Sequence, residues 1–228
     1  MTFKNKELII FDLDGTLVDS APDLALALNL MLEQLGRKTY PQEVIRTWVG
    51  NGAQTLVKRA LSGSAIVRGD LDSELVETSL AVFLDFYTQN LCVETKTYPN
   101  VVTTLQTLKN RGYKLAIVTN KPYSFVQPLL DGLEMGTLFE FILGGDSLAK
   151  KKPDPLPLLH TCEKLEISPS KAVMVGDSKN DMVAANLAEI ESIGVSYGYN
   201  YDEPISAYFP DVVVDDFGVI TQLLGERV

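Results

Sequence analysis

Two aspartates stand one residue apart at the point where an apolar run ends. Residues 8–11 are Leu-Ile-Ile-Phe, and Asp12, Leu13, Asp14 and Gly15 follow them. Side chains alternate faces along an extended chain, so Asp12 and Asp14 are expected to point into the same small space. Two like charges there require a cation, and Mg²⁺ is a hard ion that prefers carboxylate oxygens. An Asx turn with Gly15 at positive φ is the alternative interpretation.

Two further apolar runs, residues 114–118 and 171–175, also end in polar residues suited to a phosphate or a metal. Parallel α/β sheets gather the carboxyl ends of their strands along one edge, where ligands bind. We therefore expect the polar residues after all three runs to share one site. Those after the second and third runs are Thr119 and Asn120, and Asp177 and Asp181.

Three lysines, residues 150–152, lie between the second and third runs and are followed by Pro153. A charge run of this kind is usually a solvated loop. Pro153, however, restricts the backbone of Lys152 to an extended conformation and so helps to aim its side chain. We predict that Lys152 faces the site.

The composition excludes several kinds of function. His160 is the only histidine among 228 residues, so a zinc site built from several imidazoles is impossible. The formal net charge of -10 is opposite in sign to that of a nucleic-acid-binding surface. No apolar run approaches the length that spans a bilayer, and Asp12 interrupts the N-terminal run before a signal-peptide core could form. We expect a cytoplasmic protein that acts on a small molecule, with no nucleic-acid or membrane partner, as a monomer or a homodimer.

Apolar periodicity divides the chain into two kinds of segment. Between residues 20 and 90, four stretches have helical spacing with no strand between them, which predicts a small helical bundle. From about residue 100 onward, strand and helix patterns alternate, which predicts a doubly wound, mainly parallel α/β sheet. We therefore expect a Rossmann-like core of residues 1–17 and 98–228 with an inserted helical cap domain, residues 18–97.

The predicted cap is joined to the core by two linkers, residues 17–21 and 93–100. A connection of two chain segments invites hinge motion. At the end of the first linker, Ser20 is predicted to be the N-cap of the first helix, with Asp23 at the capping-box position.

The ordered motifs resemble those of the haloacid dehalogenase superfamily of phosphohydrolases, and the resemblance covers nearly the whole chain. Closer matches, in residues 12–22, 48–53, 119–122 and 197–201, resemble the bacterial phosphoglycolate phosphatase group of this superfamily. The resemblance implies a phosphatase for a small phosphate ester, with a mobile cap that closes over the pocket. The superfamily's four motifs match Asp12 to Thr16, Thr119-Asn120, Lys152 before Pro153, and Gly176-Asp177 with Asp181.

The resemblance also implies a role for each motif residue. Asp12 would be the nucleophile that forms an aspartyl phosphate, and Asp14 the general acid and base. Lys152 would counter the charge on Asp12 and on the phosphoryl group. Thr119 and Asn120 would bind the phosphoryl oxygens through the threonine hydroxyl and nearby backbone N–H groups.

The implied cofactor is Mg²⁺. Its ligands would be Asp12, Asp177 and the backbone carbonyl of Asp14. Asp181 would act through a water molecule or as a neighbour of the ligands.

Choice of substrate is expected to come from the cap. A 2-phosphoglycolate molecule carries a carboxylate beside its phosphate, which calls for a cation or a cluster of backbone N–H groups. Gly50, Asn51 and Gly52 could expose such backbone donors. Three cations bracket this loop, although each could equally be a solvated surface residue: Arg46, Lys58 and Arg59.

Other functions would use the same four motifs. A β-phosphoglucomutase-like phosphotransferase would return the phosphoryl group to a sugar and would depend on a sugar bisphosphate primer. A pyrophosphatase or a general sugar phosphatase is equally compatible with the core. A catalytically silent regulatory module would have no physical reason to keep Asp12, Asp14, Lys152 and Asp177 together.

The chain departs from the phosphoglycolate phosphatase pattern at one helix end. Where these enzymes usually have a glycine after the helix that follows the fourth motif, this chain has Glu189. Glycine is the residue that most easily adopts the left-handed conformation at such an end, so we expect the helix end to be reshaped.

Overall fold

The structure is a computed structural model and describes residues 2–226. The strands are β1 (Leu8–Phe11), β2 (Val18–Asp19), β3 (Lys96–Thr97), β4 (Lys114–Val118), β5 (Phe141–Leu143), β6 (Ala172–Gly176), β7 (Glu191–Val195) and β8 (Val212–Val214). The α-helices are α1 (Ala21–Gln34), α2 (Gln42–Arg46), α3 (Ala53–Ser62), α4 (Ser73–Gln89), α5 (Val101–Asn110), α6 (Tyr123–Gly132), α7 (Leu156–Lys164), α8 (Lys179–Leu187) and α9 (Ile220–Leu224). None of these helices is both long enough and apolar enough to cross a membrane.

Six strands form one parallel sheet in the order β5-β4-β1-β6-β7-β8. Strand β1 is central, and its last residue, Phe11, lies opposite Ile117 of β4 and Val175 of β6. The three strands therefore end side by side, as the sequence predicts for a doubly wound sheet.

Helices cover both faces of the sheet. Ile9 and Phe11 of β1 point to one face, where they pack in a cluster that includes residues of α5, α6 and α9. Leu8 and Ile10 point to the other face, in a cluster with residues of α7 and α8. All four side chains are fully buried. A strand buried on both faces has a continuous apolar run instead of an alternating one, which is the pattern of residues 8–11.

Helices α1 to α4 form a separate layer, which we call the four-helix segment (residues 21–89). Its buried side chains form a cluster around Leu28, Trp48 and Phe83, which also includes Phe125 and Tyr199 from outside the segment. The chain enters and leaves this segment through a two-stranded antiparallel ribbon, in which Val18 of β2 pairs with Thr97 of β3. The two predicted linkers are thus hydrogen-bonded to each other, which the sequence pattern does not indicate.

The start of α1 differs from the predicted capping box. Ser20 is the N-cap residue, but its side chain makes no capping hydrogen bond. Asp23 is fully buried and accepts hydrogen bonds from the backbone N–H groups of Val93, Glu94 and Thr95 at 2.9–3.0 Å. The N-cap position is therefore as predicted, but the capping box is not formed, because residues 93–95 donate to both oxygens of the Asp23 carboxylate.

Two other helix ends also differ from expectation. The pattern of residues 217–224 predicts one final helix, whereas the structure has a 3₁₀ turn, Phe217–Val219, followed by α9. Glu189 adopts a φ of 55°, so the conformation expected of a glycine is present without one. The left-handed turn after α8 is kept at some cost in backbone strain.

Candidate active site

Three buried carboxylates lie together where β1 and β6 end. Asp12 follows β1, and its backbone N–H donates to the carbonyl of Val175 at 3.0 Å. Asp177 follows β6, and Asp181 lies in the first turn of α8. One oxygen from each of Asp12, Asp177 and Asp181 lies within 4.8 Å of the others. The parallel strand order has therefore brought Asp12 next to Asp177 and Asp181. Asp177, the nearer of the two in sequence, lies 165 residues after Asp12.

Lys152 is the cation that faces this group. Its Nζ donates to Asp181 Oδ1 at 2.6 Å and lies 2.9 Å from Asp12 Oδ1. The contact with Asp12 lacks hydrogen-bond geometry, so Asp12 Oδ1 is a buried oxygen with no hydrogen-bond donor. The lysine is buried, as predicted for a residue that faces the site and not for a solvated loop.

The electrostatics of this group favour an additional cation. Burial raises the pKa of Asp12 to about 6, with Lys152 opposing the shift and Asp181 adding to it. Burial, Asp181 and Asp12 all raise the pKa of Asp177 well above its usual value. Burial works against the charge of Lys152, but Asp12 and Asp181 outweigh it and raise its pKa. One ammonium cannot balance three carboxylates, and a donor set made only of carboxylate oxygens fits Mg²⁺.

Protein groups already hold two of the three acids. Asp181 Oδ2 accepts from the backbone N–H and the hydroxyl of Ser178, at 3.0 and 2.8 Å. Asp177 accepts from Thr16 Oγ1 at 2.7 Å and from the backbone N–H of Tyr199 at 2.6 Å. These bonds fix the orientation of both carboxylates. Asp12 is the least constrained of the three.

A glycine is required beside Asp177. Gly15 has a φ of 93°, and a Cβ added to it would lie 2.4 Å from Asp177 Oδ2. Any other residue at this position would combine a strained backbone with a steric clash. The glycine that the sequence suggested for a turn therefore also makes room for the acid.

The carboxylate of Asp14 lies apart from the acidic group. It accepts from Ser20 Oγ at 2.6 Å and from Lys121 Nζ at 3.1 and 3.2 Å. Among residues 2–226, the candidate metal ligands that the side chains bring together are those of Asp12, Asp177 and Asp181. The backbone carbonyl of Asp14 therefore remains the predicted metal ligand. The side-chain carboxylate of Asp14 is available for a different role.

The comparisons with known proteins agree with this geometry. The family model described as haloacid dehalogenase-like hydrolase matches residues 9–195. The chain belongs to this family. A phosphoglycolate phosphatase of Colwellia psychrerythraea is 51% identical over 217 residues, which are 95% of this chain and 96% of the relative. One of Psychrobacter arcticus is 49% identical and covers 96% of each chain. The crystal structure of a predicted phosphoglycolate phosphatase from Haemophilus somnus has a TM-score of 0.90, with 40% identity, and covers 96% of this chain and 98% of that one.

In this haloacid dehalogenase-like hydrolase, Asp12 and Asp14 line a common cavity between the sheet edge and the four-helix segment. Thr119, Asn120 and Lys121 line it from the end of β4. The expected common space for the two aspartates is therefore present. Apolar side chains make up most of the remaining wall: Leu24, Val49, Leu56, Phe83, Leu84 and Phe125.

Asn120 has a positioning role that the sequence did not indicate. Its Nδ2 donates to the carbonyls of Gly50 and Lys152, both at 3.0 Å. Both amide hydrogens are thus used within the hydrolase. A contact of Asn120 with a phosphoryl oxygen would come from its backbone N–H. Thr119 also lines the cavity, and its hydroxyl oxygen accepts from the backbone N–H of Lys121 at 3.2 Å.

The predicted substrate loop, residues 50–52, lies against the core. Gly50 and Gly52 line the cavity, but Asn51 does not. Asn51 Oδ1 accepts from Tyr201 Oη at 2.7 Å and from Arg59 Nη2 at 2.9 Å. The side chain of Asn51 thus binds protein groups outside the cavity, and Gly50 and Gly52 are the loop residues that could meet a substrate.

The structure places none of the three predicted cap cations at the cavity of this hydrolase. Arg46 pairs with Asp19 at 2.8 Å, and Arg59 bonds Asn51 and the carbonyl of Trp48. Lys58 lines a different groove on the outside of α3 and α4. Their nearness to the loop in sequence is misleading, because a helix turns successive side chains in different directions.

Lys121 is the residue that sequence reasoning missed. It is buried, and its Nζ bonds both oxygens of Asp14 and donates to Tyr87 Oη at 2.6 Å. Burial works against its charge, but Asp14 and Tyr87 outweigh burial and raise the pKa of Lys121 above its usual value. The sequence did contain one indication that Lys121 belongs to the site, because Lys121 directly follows Thr119-Asn120 at the end of a predicted strand.

Proposed function

We propose that this hydrolase converts 2-phosphoglycolate to glycolate and phosphate, with Mg²⁺ as cofactor and an aspartyl phosphate on Asp12 as intermediate. The observation that carries the proposal is the state of Asp12 Oδ1. This oxygen is buried, has no hydrogen-bond donor and lies 2.9 Å from Lys152 Nζ. A carboxylate oxygen held in this way is available to attack phosphorus.

In the first step, the bond between Asp12 and phosphorus forms and the ester P–O bond breaks. Asp14 gives a proton to the departing glycolate oxygen. Asp14 then takes a proton from the water that hydrolyses the intermediate, and proton transfer of this kind contributes about 10²- to 10⁴-fold. Asp14 lies beside Asp12 in the cavity but outside the acidic group, which supports separate roles as nucleophile for Asp12 and as general acid and base for Asp14.

The residues that would hold Mg²⁺ are Asp12, Asp177 and the Asp14 carbonyl, with Asp181 as a neighbour. The bound cation would neutralise charge on the phosphoryl oxygens. Lys152 shares this task from the opposite side, since it already contacts Asp12 and Asp181. Thr119 and the backbone N–H of Asn120 would bind the remaining phosphoryl oxygens.

The choice of 2-phosphoglycolate is supported by the relatives and by the cavity. Relatives named phosphoglycolate phosphatase are 45–51% identical over 92–96% of this chain. The wall contributed by the four-helix segment is mainly apolar and offers few partners for sugar hydroxyls. Glycolate is small and brings no sugar hydroxyls to this wall, and its one carboxylate would need a cation elsewhere in the cavity.

We further propose that residues 18–97 are a cap that opens and closes over a core of residues 1–17 and 98–228. The β2–β3 ribbon forms the connection at both boundaries. In the closed state, Gly50 O accepts from Asn120 and Asn180, and Asn51 O accepts from Lys151 at 2.7 Å. The rings of Tyr87 and Phe125 also meet across this interface, with 5.0 Å between their centroids, and Tyr199 packs in the apolar cluster of the four-helix segment. We also propose that this hydrolase is located in the cytoplasm.

Initial rates on a substrate panel test the function. We expect kcat/KM for 2-phosphoglycolate to exceed that for sugar phosphates, pyrophosphate and nucleotides by about 10-fold or more, a range that differential contacts can supply. EDTA should abolish activity, and Mg²⁺ should restore it. Preference for a sugar phosphate or pyrophosphate, or a requirement for a sugar bisphosphate primer, would overturn the assignment in favour of those activities.

A further inference from the structure

The cavity contains one cation that the proposed chemistry does not use. Among residues 2–226, Lys121 is the sole lysine or arginine in the cavity wall. Lys152 serves the acidic group and does not line this cavity. A buried ammonium in a mainly apolar wall requires an anion, and in this structure that anion is Asp14.

We propose that Lys121 is the specificity-determining residue that binds the carboxylate of the substrate. The inference rests on the proposed function, because it concerns the second anionic group of a phosphorylated hydroxy acid. It transfers the role first expected of Arg46, Lys58 or Arg59 to a residue of the core.

The position of Lys121 relative to Asp14 supports this assignment. A general acid must lie within about 2.6–3.2 Å of the ester oxygen that it protonates. In glycolate, a single methylene group separates that oxygen from the carboxylate. The cation that binds the carboxylate must therefore be a close neighbour of the general acid, and Lys121 Nζ lies 3.1 and 3.2 Å from the Asp14 oxygens.

Tyr87 positions the ammonium from the four-helix segment. Its hydroxyl is 2.6 Å from Lys121 Nζ, and the Nζ also lies 4.7 Å from the centre of the tyrosine ring. The phenol is buried, and burial raises the pKa of Tyr87 to about 12 despite the opposing effect of Lys121. The hydroxyl therefore stays protonated and neutral, and the substrate carboxylate would be the anion that replaces part of the Lys121–Asp14 contact.

A neutral analogue separates charge recognition from catalysis. The test compares 2-phosphoglycolate with 2-hydroxyethyl phosphate, in which a hydroxymethyl group replaces the carboxylate. The ratio of their kcat/KM values measures the preference for the carboxylate. Any damage that a substitution causes to Asp14 affects both substrates and cancels in this ratio.

We expect Lys121→Met to lower the ratio by at least about 30-fold, since it removes a charge-assisted hydrogen bond. Lys121→Arg should restore most of the preference. Lys58→Met is the matched control and should leave the ratio unchanged. A preference kept by folded Lys121→Met would overturn the inference and would assign the carboxylate to the Gly50–Gly52 backbone.

Circular dichroism and thermal unfolding establish whether each variant is folded. If Lys121→Met does not fold, Tyr87→Phe serves as the second variant, because it removes the hydroxyl that orients the ammonium. It should lower the ratio by about 3- to 10-fold, the loss of one hydrogen bond, and an unchanged ratio would count against the inference. If wild type does not hydrolyse 2-phosphoglycolate, the proposed function itself fails. If wild type and Lys121→Met show the same preference for 2-phosphoglycolate over 2-hydroxyethyl phosphate, only the role of Lys121 is excluded.

Discussion

At the residue scale, the main feature of this hydrolase is an excess of buried negative charge. Asp12, Asp177 and Asp181 face a single ammonium, that of Lys152. Such an arrangement is unfavourable for an isolated chain, because buried charges require partners. It is favourable for binding a divalent cation, which could then hold a phosphoryl group, and this suggests that stability has been given up here for function.

The first prediction concerns the nucleophile. Asp12→Asn should lower kcat by about 10³-fold or more, because an amide cannot form the covalent intermediate. Steady-state rates with 2-phosphoglycolate measure the effect, and acid quenching of wild type should trap the phosphoenzyme. The exposed Asp131→Asn is the control. An active Asp12→Asn enzyme, with no phosphoenzyme in wild type, would exclude the covalent route.

The second prediction concerns the pH dependence of stability in the metal-free protein. The folded pKa of Asp12, about 6, lies above the usual value of 3.8. Between these values the folded state binds more protons than the unfolded state, so stability rises as the pH falls. From pH 7 to pH 5 this carboxyl should add about 1 kcal/mol to the free energy of unfolding.

Urea unfolding in EDTA at both pH values measures this contribution. Asp12→Asn is the informative comparison, because it removes the titrating carboxyl and, with it, the effect by which Asp12 raises the pKa of Asp177. Its gain on acidification should be smaller than that of wild type by about this amount or more. Equal gains in the two proteins would show that Asp12 does not carry a raised pKa.

At the scale of elements, the ends of β1, β4 and β6 deliver the chemical groups, and the β2–β3 ribbon connects the four-helix segment. Asp23 of α1 stabilises that connection. It accepts the backbone N–H groups of residues 93–95 and also Thr95 Oγ1 at 2.6 Å. A single side chain thus holds the returning chain against the first helix.

The third prediction follows from this contact. Asp23→Ala should lower the free energy of unfolding by about 2–4 kcal/mol, because it leaves the buried N–H and hydroxyl of Thr95, and two partly buried N–H groups, without their acceptor. Thermal or urea unfolding measures the loss. Asp85→Ala, on the exposed side of α4, should change stability by less than about 0.5 kcal/mol. A loss for Asp23→Ala as small as that of the control would show that water replaces the carboxylate.

At the scale of the whole molecule, the question is how the four-helix segment and the core meet. Tyr201 Oη donates to Asn51 Oδ1 at 2.7 Å and accepts from Asn180 Nδ2 at 3.2 Å. These bonds link the loop at the cavity to the residues that follow β7. They can form only when the four-helix segment lies against the core.

The fourth prediction tests this link. Tyr201→Phe should favour the open state and raise KM for 2-phosphoglycolate by about 3- to 10-fold, equivalent to one lost hydrogen bond. Hydrogen exchange in residues 49–52 should become faster in the absence of substrate. Tyr208→Phe, which removes a hydroxyl that donates to Glu203 and does not contact residues 49–52, is the control. Unchanged KM and exchange would show that the Tyr201 hydroxyl does not hold the closed state.

The sequence by itself determined the sheet and most of the acidic site. Short apolar runs that end in Asp12, Thr119 and Asp177 are local patterns, and parallel topology then requires their ends to meet. The signal was strong because each motif lies within a few residues of its strand. Even Lys152 could be placed, since a proline follows it directly.

Only the tertiary structure decided which charges meet inside the cavity. Two sets of contacts join segments that no local sequence pattern relates. Lys121 contacts Asp14 and Tyr87, and Asp23 accepts hydrogen bonds from residues 93–95. Arg46, Lys58 and Arg59 lie near the loop in sequence but outside the cavity in space. The physical reason is that contacts between a long charged side chain and its partner depend on how whole elements pack, whereas strand ends depend on the residues beside them.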